Sequence, residues 1–198
     1  MPPYPDTESQ APSPSQSYHT RTVSRSIHID FNGWAQKQLQ ITEGGPGGAV
    51  IYSADLARKF QMKFFTGTSG TSLATVVNRA NSHLEVAMHG QKITIDIKTR
   101  LKKEGRYESP SLEYAPLTWN SRSMKVYDFE LRDGNGIPLA QFNPHPSWTR
   151  RKTGRLDFFG PGVGSGRPME EIMVTAFALV HSTALELEAA TAGTGASS

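Results

Sequence analysis

The sequence predicts a mainly β protein, which we expect to form a closed antiparallel barrel around a hydrophobic C-terminal helix. Short segments in which apolar and polar residues alternate follow one another from residue 26 to residue 159, separated by turn residues about every 8 to 12 positions. The segment from about Met169 to Val180 is apolar on nearly all sides, whereas a surface helix has one apolar stripe. Because a wide barrel needs something to fill its interior, a sheet closed around this helix accounts for both observations.

Composition limits the chain to one domain with a full core or two small ones, since it has 198 residues. The formal net charge of +3 is too small to indicate nucleic-acid binding by itself. The absence of cysteine excludes disulfides, thiolate metal sites and a cysteine nucleophile. The N-terminus lacks the apolar core of a secretory signal, and no segment reaches the roughly 18 to 20 apolar residues of a transmembrane span. We therefore expect a soluble, cytoplasmic protein.

Both termini are of low complexity. Residues 1–22 are rich in Pro, Ser and Gln, and residues 189–198 consist of Ala, Gly, Ser and Thr. Such segments bury too little apolar surface to offset the entropy of ordering the chain. The sequence thus predicts disordered tails at 1–22 and 189–198, and one barrel domain from residue 23 to residue 188.

About ten strands are predicted between the tails. The clearest is 92–98, where Ile93, Ile95 and Ile97 alternate with polar residues and are expected to face inward. The charged stretch that follows, up to residue 115, is expected to be a connector, and Asp133 to Gly136 a tight hairpin turn. The predicted strands are 26–31, 49–52, 60–65, 73–77, 83–88, 92–98, 116–119, 125–131, 137–142 and 154–159.

The apolar segment is expected to begin its helix near Met169. Pro168 is tolerated in a first helical turn, and Glu170 and Glu171 are favourable near the positive end of the helix dipole. A helix inside a barrel and a helix packed across the outside of a sandwich both satisfy these residue types, so the sequence leaves the two arrangements open.

The second half of the chain carries an ordered set of motifs. A Trp-bearing strand (117–119) is followed by Leu131-Arg132-Asp133-Gly134, by the segments 138–142 and 154–158, and by an acidic pair before the apolar run. This order resembles the tubby C-terminal-like domain superfamily, which includes tubby-like proteins, LURP-one-related proteins, phospholipid scramblases and many fungal domains. The helix is most similar to that of the fungal members. The resemblance implies a barrel of about twelve antiparallel strands around the helix, and it carries over phosphoinositide or phospholipid binding as a hypothesis.

Two groups of basic residues form the candidate binding site, the second of them beside Trp148. Each Lys or Arg near an anionic membrane contributes about 1 kcal/mol, and a Trp is suited to the membrane interface. Lys98, Arg100 and Lys102 would share one face if their strand continues. The alternative is a solvated hairpin edge, because Lys keeps sheet edges from pairing. The candidate anion-binding or phospholipid-binding residues are Lys98, Arg100, Lys102, Lys103, Arg106, Trp148, Arg150, Arg151, Lys152 and Arg155.

Other chemistry-bearing residues point to no catalytic site. His145 has no partner that the sequence names, and no two histidines have the spacing of metal ligands. The Gly-rich segment 160–167 lacks the Gly-Lys-Ser/Thr ending of a phosphate loop and is expected to connect the last strand to the helix. Glu104, Glu108 and Glu113 are expected to be solvated. We therefore predict no enzyme activity, no metal and no cofactor.

The function expected from the sequence is that of a binding module. It would dock on anionic phospholipid or phosphoinositide through the basic loops, as a peripheral membrane protein. The alternative is a protein-interaction or scaffold domain without lipid binding, with the Pro-rich N-terminal segment as a partner site. Nucleic acid is not an expected partner.

Overall fold

The computed structural model describes residues 21–32, 38–58, 61–68, 70–79, 83–99, 102–122, 127–145 and 154–194. This part of the chain forms twelve strands, a short 3-10 turn at Pro110–Leu112 and one long helix, α1, at Gly166–Thr194. The strands are β1 (Val23–Asn32), β2 (Gln38–Glu43), β3 (Ala49–Arg58), β4 (Gln61–Thr66), β5 (Ser72–Arg79), β6 (His83–Met88), β7 (Gln91–Thr99), β8 (Lys103–Ser109), β9 (Ala115–Ser121), β10 (Phe129–Arg132), β11 (Pro138–Pro144) and β12 (Gly154–Phe159).

The strands form a closed antiparallel barrel. Each strand pairs with its neighbours in sequence, and β1 also pairs with β12, where Ile27 lies opposite Leu156. Closure leaves no unpaired strand edge in the sheet. The predicted fold class, a mainly β barrel of about twelve strands around a C-terminal helix, is confirmed.

Alternation along the strands builds the core. In β7 the side chains of Ile93, Ile95 and Ile97 are 2%, 0% and 8% exposed, so the predicted inward face is correct. The polar residues between them are exposed. Burying each such aliphatic side chain contributes roughly 1.5 to 3 kcal/mol.

Two strands, β2 and β8, lie outside the ten that the sequence predicts. β2 is short, and only Leu39 and Ile41 provide its inward apolar pattern. β8 falls in the stretch expected to be a charged connector. The sequence does not show it as a strand because Tyr107 is the only large apolar side chain on its inward face. A Cβ atom at Gly105 would lie 3.2 Å from Ile95 Cγ2 and 3.3 Å from Leu179 Cδ1 of the helix, so a larger residue on β8 would need these side chains to shift.

Helix α1 lies inside the barrel. Every residue from Ile172 to Val180 is buried, which leaves no side of this stretch in contact with solvent. The Phe177 ring packs against Phe64 of β4 and Phe142 of β11, with centroid distances of 6.3 and 6.2 Å. The alternative of a helix packed across the outside of a sandwich is therefore wrong.

The helix is longer than the apolar segment. It begins at Gly166, ahead of Met169, and continues to Thr194, so residues 189–194 of the predicted disordered tail are helical. None of the helices in the described residues combines the length and the apolar character that crossing a membrane requires.

Because consecutive strands are antiparallel, the strand connections alternate between the two ends of the barrel. We call the end where β12 finishes and α1 starts the helix-start end, and the opposite end the helix-exit end. Odd-numbered strands run from the helix-start end to the helix-exit end, and even-numbered strands return. The strand ends that flank the two basic clusters, those of β7 and β8 and those of β11 and β12, therefore lie at the helix-exit end.

Candidate binding surface

The first basic cluster is split by a turn. Lys98 is near the end of β7 and Lys102 precedes β8, and both side chains are exposed. Strand β7 ends at Thr99, which lies opposite Lys103 at the start of β8. Because β7 ends before Lys102, Lys98 and Lys102 do not share the face of one continuous strand, and Arg100 lies outside the described residues.

Arg106 lies on the outer face of β8 with 59% of its side chain exposed. Its Nε donates a hydrogen bond to the carboxylate of Glu104, two residues earlier on the same face. Exposed pairs of this kind contribute about 0 to 1 kcal/mol to stability. Arg106 therefore adds little net charge to the surface, because Glu104 balances it locally.

Lys103 points into the barrel, which corrects its assignment to an exposed anion site. Its side chain is 7% exposed, and its Nζ donates to Glu186 Oε1 of the helix at 2.8 Å. Burial lowers the pKa of the Lys103 amino group because it disfavours the charged form, although the hydrogen bond and negative charge of Glu186 act in the opposite direction. Lys103 thus fastens the helix to the wall and is not available to a ligand on the outer surface.

Arg155 is the described member of the second cluster. It lies on the outer face of β12, and its Nε donates to Asp157 Oδ2 at 3.0 Å. Asp157 is 3% exposed and also accepts hydrogen bonds from Ser26 Oγ at 2.5 Å and Asn143 Nδ2 at 2.9 Å. The guanidinium is therefore held in a fixed position on the wall, with half of the Arg155 side chain exposed. The other candidates, Arg100, Trp148, Arg150, Arg151 and Lys152, lie outside the described residues.

The segments that connect strands at one end of the barrel differ strongly in charge from those that connect strands at the other end. The segments that connect strand ends at the helix-exit end are 33–37, 59–60, 80–82, 100–102, 122–128 and 145–153, and most of their residues lie outside the described part of the chain. In sequence they contain nine basic residues, namely Lys37, Lys59, Arg100, Lys102, Arg122, Lys125, Arg150, Arg151 and Lys152. They contain one acidic residue, Asp128. The strand connections at the helix-start end contain no Lys or Arg and two acidic residues, Glu113 and Asp133. In the sequence, positive charge is thus concentrated in the segments that follow odd-numbered strands, and of the nine basic residues Lys102 and Arg122 belong to the described part of the chain.

A groove of about 270 Å³ lies beside Arg155 on the outer wall. His28, Asp30, Asn143 and His145 also line it. These residues come from β1, β11, β12 and the residue after β11, and the register places Arg155 directly opposite His28. The sequence singled out His145 but not the groove, because its walls come from strands that meet only when the barrel closes.

Polar contacts at the helix-start end involve Glu170. Its carboxylate accepts a hydrogen bond from the Tyr52 hydroxyl at 2.9 Å and lies 2.8 Å from His89 Nε2. Burial, followed by the hydrogen bond to Glu170, raises the pKa of Tyr52 to about 12. The tyrosine therefore keeps its proton at neutral pH and serves as a hydrogen-bond donor that positions the helix.

A second set of polar contacts lies within the core. Trp119 Nε1 donates to Thr175 Oγ1 at 3.1 Å, and the Tyr107 hydroxyl lies 3.4 Å from the same oxygen. Burial raises the pKa of Tyr107, so this phenol also stays protonated. These bonds satisfy polar groups that are costly to bury alone, and they fix the rotation of α1 within the barrel.

The described residues contain no cluster of three or more His, Asp or Glu side chains placed to hold a metal ion. Comparisons with protein-family models, curated proteins and solved structures find no match for this chain. The described residues form a closed twelve-stranded barrel filled by its own C-terminal helix, and in sequence the segments that follow odd-numbered strands are rich in basic residues.

Proposed function

We propose that this chain is a non-enzymatic binding module that docks on an anionic phospholipid surface, with the helix-exit end towards the membrane. The observation that carries the proposal is the unequal charge of the strand connections in sequence: those at the helix-exit end contain nine basic residues and one acidic residue, and those at the helix-start end contain two acidic residues. A surface with one sign of charge on one end is attracted to a membrane of opposite charge in one orientation.

The magnitude of this attraction is sufficient for reversible binding. Each Lys or Arg near an anionic leaflet contributes about 1 kcal/mol, within a Debye length of about 8 Å at physiological salt. Three such residues together change the affinity by roughly 100-fold. Trp148, in the same connection as Arg150, Arg151 and Lys152, adds an aromatic side chain of the kind found at membrane interfaces.

The likeness to the tubby C-terminal-like superfamily belongs to this proposal. The barrel around a C-terminal helix supports it at the level of the fold, and a fold hosts many functions. Peripheral attachment at the cytoplasmic side of a membrane follows from the same hypothesis.

Co-sedimentation with liposomes tests the proposal. The full chain is mixed with neutral vesicles and with vesicles that contain a phosphoinositide, at low and at moderate salt. We expect binding to the anionic vesicles only, and weaker binding as salt rises. The variant Arg150→Ala/Arg151→Ala/Lys152→Ala should bind roughly 100-fold more weakly.

A matched control removes the same charge elsewhere. Lys92 at the start of β7, Arg132 at the end of β10 and Arg167 at the start of α1 are exposed and lie at the helix-start end. The variant Lys92→Ala/Arg132→Ala/Arg167→Ala should keep most of the binding. Equal losses in both triple variants would mean that net charge, and not the helix-exit end, governs attachment.

The second candidate function is a protein-interaction domain. It is favoured by the Pro-rich composition of residues 1–20, since polyproline segments are common recognition elements. Absence of binding to both kinds of vesicle would remove the lipid proposal and leave this one.

A further inference from the structure

Three neighbouring strands carry a compact set of polar side chains on the outer wall of the barrel. In the register of β2, β3 and β4, Gln40 lies opposite Ser53, and Ser53 lies opposite Phe65. Gln38 lies opposite Asp55 in the adjacent outward row. Because residues opposite each other in antiparallel strands have Cβ atoms about 4.5–5.5 Å apart, these five side chains form one continuous patch.

The patch is the floor of a groove of about 230 Å³, which we call the polar groove. The turn between β4 and β5 forms its rim, where Thr68 and Gly70 line it. Ser53 Oγ donates to the carbonyl of Gly67 at 2.7 Å, and the Gly67 N–H donates to the carbonyl of Ile51 at 2.8 Å. Since both bonds tie the turn to β3, the groove is already formed without a ligand, as small-molecule sites usually are.

The side chains of the polar groove suit a ligand with many hydroxyl groups. The amides of Gln38 and Gln40 each donate and accept hydrogen bonds, and the Asp55 carboxylate accepts them. The half-buried ring of Phe65 offers an apolar face on which the C–H face of a sugar ring can pack. Asp55 is the one charged side chain among the described residues that line the groove, and Lys63 lies opposite it on β4, so the groove has no excess charge that would favour an ionic ligand.

The size of the groove limits the ligand to one ring. Sites for drug-sized molecules have volumes of about 300–1,000 Å³, and this groove is smaller. We propose that the polar groove binds a neutral carbohydrate, with one sugar ring on Phe65 and its hydroxyls hydrogen-bonded to Gln38, Gln40 and Asp55. This site is separate from the basic connections at the helix-exit end, so it stands or falls independently of lipid docking.

Saturation-transfer NMR on the full chain tests the proposal with four probes, namely glucose, galactose, mannose and N-acetylglucosamine at millimolar concentration. We expect transfer to the ring protons of at least one sugar, followed by a titration that gives its dissociation constant. Asp55→Asn and Gln40→Ala should each weaken that binding about tenfold, because each removes a hydrogen-bonding partner of the sugar.

Thr94→Ala provides the matched control, since Thr94 is an exposed residue on the outer face of β7, away from the groove. Circular dichroism verifies that all three variants are folded. Transfer to none of the four sugars overturns the proposal. Binding that Asp55→Asn and Gln40→Ala leave unchanged also overturns it, because the sugar would then be held elsewhere.

Discussion

Substitutions on three faces of α1 test directly whether the sheet encloses the helix. At about 100° per residue, Met173, Val174 and Leu179 point in directions of roughly 0°, 100° and 240° around the axis. All three are 0% exposed. We expect Met173→Ala and Leu179→Ala to lower the free energy of unfolding by about 2–5 kcal/mol each, through lost burial and the cavity left behind. Val174→Ala, which removes less volume, should cost about 2 kcal/mol.

Urea unfolding followed by circular dichroism and Trp fluorescence measures these changes. Leu187→Ala is the control, since Leu187 is 37% exposed beyond the barrel, and it should change stability by less than about 1 kcal/mol. Phe177→Asp should not fold, because a buried unpaired charge costs several kcal/mol out of a typical total of about 5–15. If any one of the three alanine variants unfolds like the parent, that face of the helix is not enclosed, and the barrel around α1 is refuted.

Two further predictions concern buried polar groups. Lys103→Met leaves the Glu186 carboxylate without its amino partner and should lower the free energy of unfolding by about 2 kcal/mol. Breaking a fully buried pair costs about 3–5 kcal/mol, and the loss is smaller here because 28% of the Glu186 side chain is exposed. Lys103→Met/Glu186→Leu should recover most of that loss in the same urea assay, and an equal loss in the double variant would contradict a role for the pair. The pKa of Tyr52 is raised from 10.0 to about 12, so the folded protein holds this proton when the unfolded chain has lost it. The resulting stability is complete below pH 10 and is lost as the pH rises to about 12. Between pH 10 and about pH 12 the melting temperature should fall less for Tyr52→Phe than for the parent protein. Parallel plots of melting temperature against pH for the two proteins would contradict this prediction.

The fold could be predicted where the alternation of apolar and polar residues along a strand shows which of its faces is buried. β7 shows this in Ile93, Ile95 and Ile97, whose alternation depends only on neighbouring residues. β8 could not be predicted, because its inward positions are adapted to the helix that packs on them. Gly105 leaves room for Leu179, and Lys103 pairs with Glu186, so the reason for each residue lies about 75 to 85 positions away in the chain.

The candidate site could be predicted only in part. Runs of positive charge are visible in the sequence, but their grouping at one end follows from the number and direction of all strands, including β2 and β8. Lys103 belongs to such a run and yet faces inward, because register decides its direction and composition does not. The polar groove was not found from the sequence, since Gln38 and Gln40 belong to the unpredicted β2 and meet Phe65 only through β3.

The charge difference between the strand connections at the two ends of the barrel could serve the stability of α1, because charges near the ends of a helix interact with its dipole. A helix carries about +0.5 charge at its N-terminus and −0.5 at its C-terminus, and α1 has its N-terminus at the acidic end and its C-terminus towards the basic end. The loops therefore complement the helix dipole. This effect is limited to the last turn, however, and one cation is enough to balance it. The helix also continues beyond Glu186, which pairs with Lys103 of the wall, to Thr194, so its C-terminus extends about 12 Å past that contact. The nine basic residues of the connecting segments exceed what the helix dipole, Asp128, Glu186 and Glu188 require, and this excess supports the proposed anionic partner.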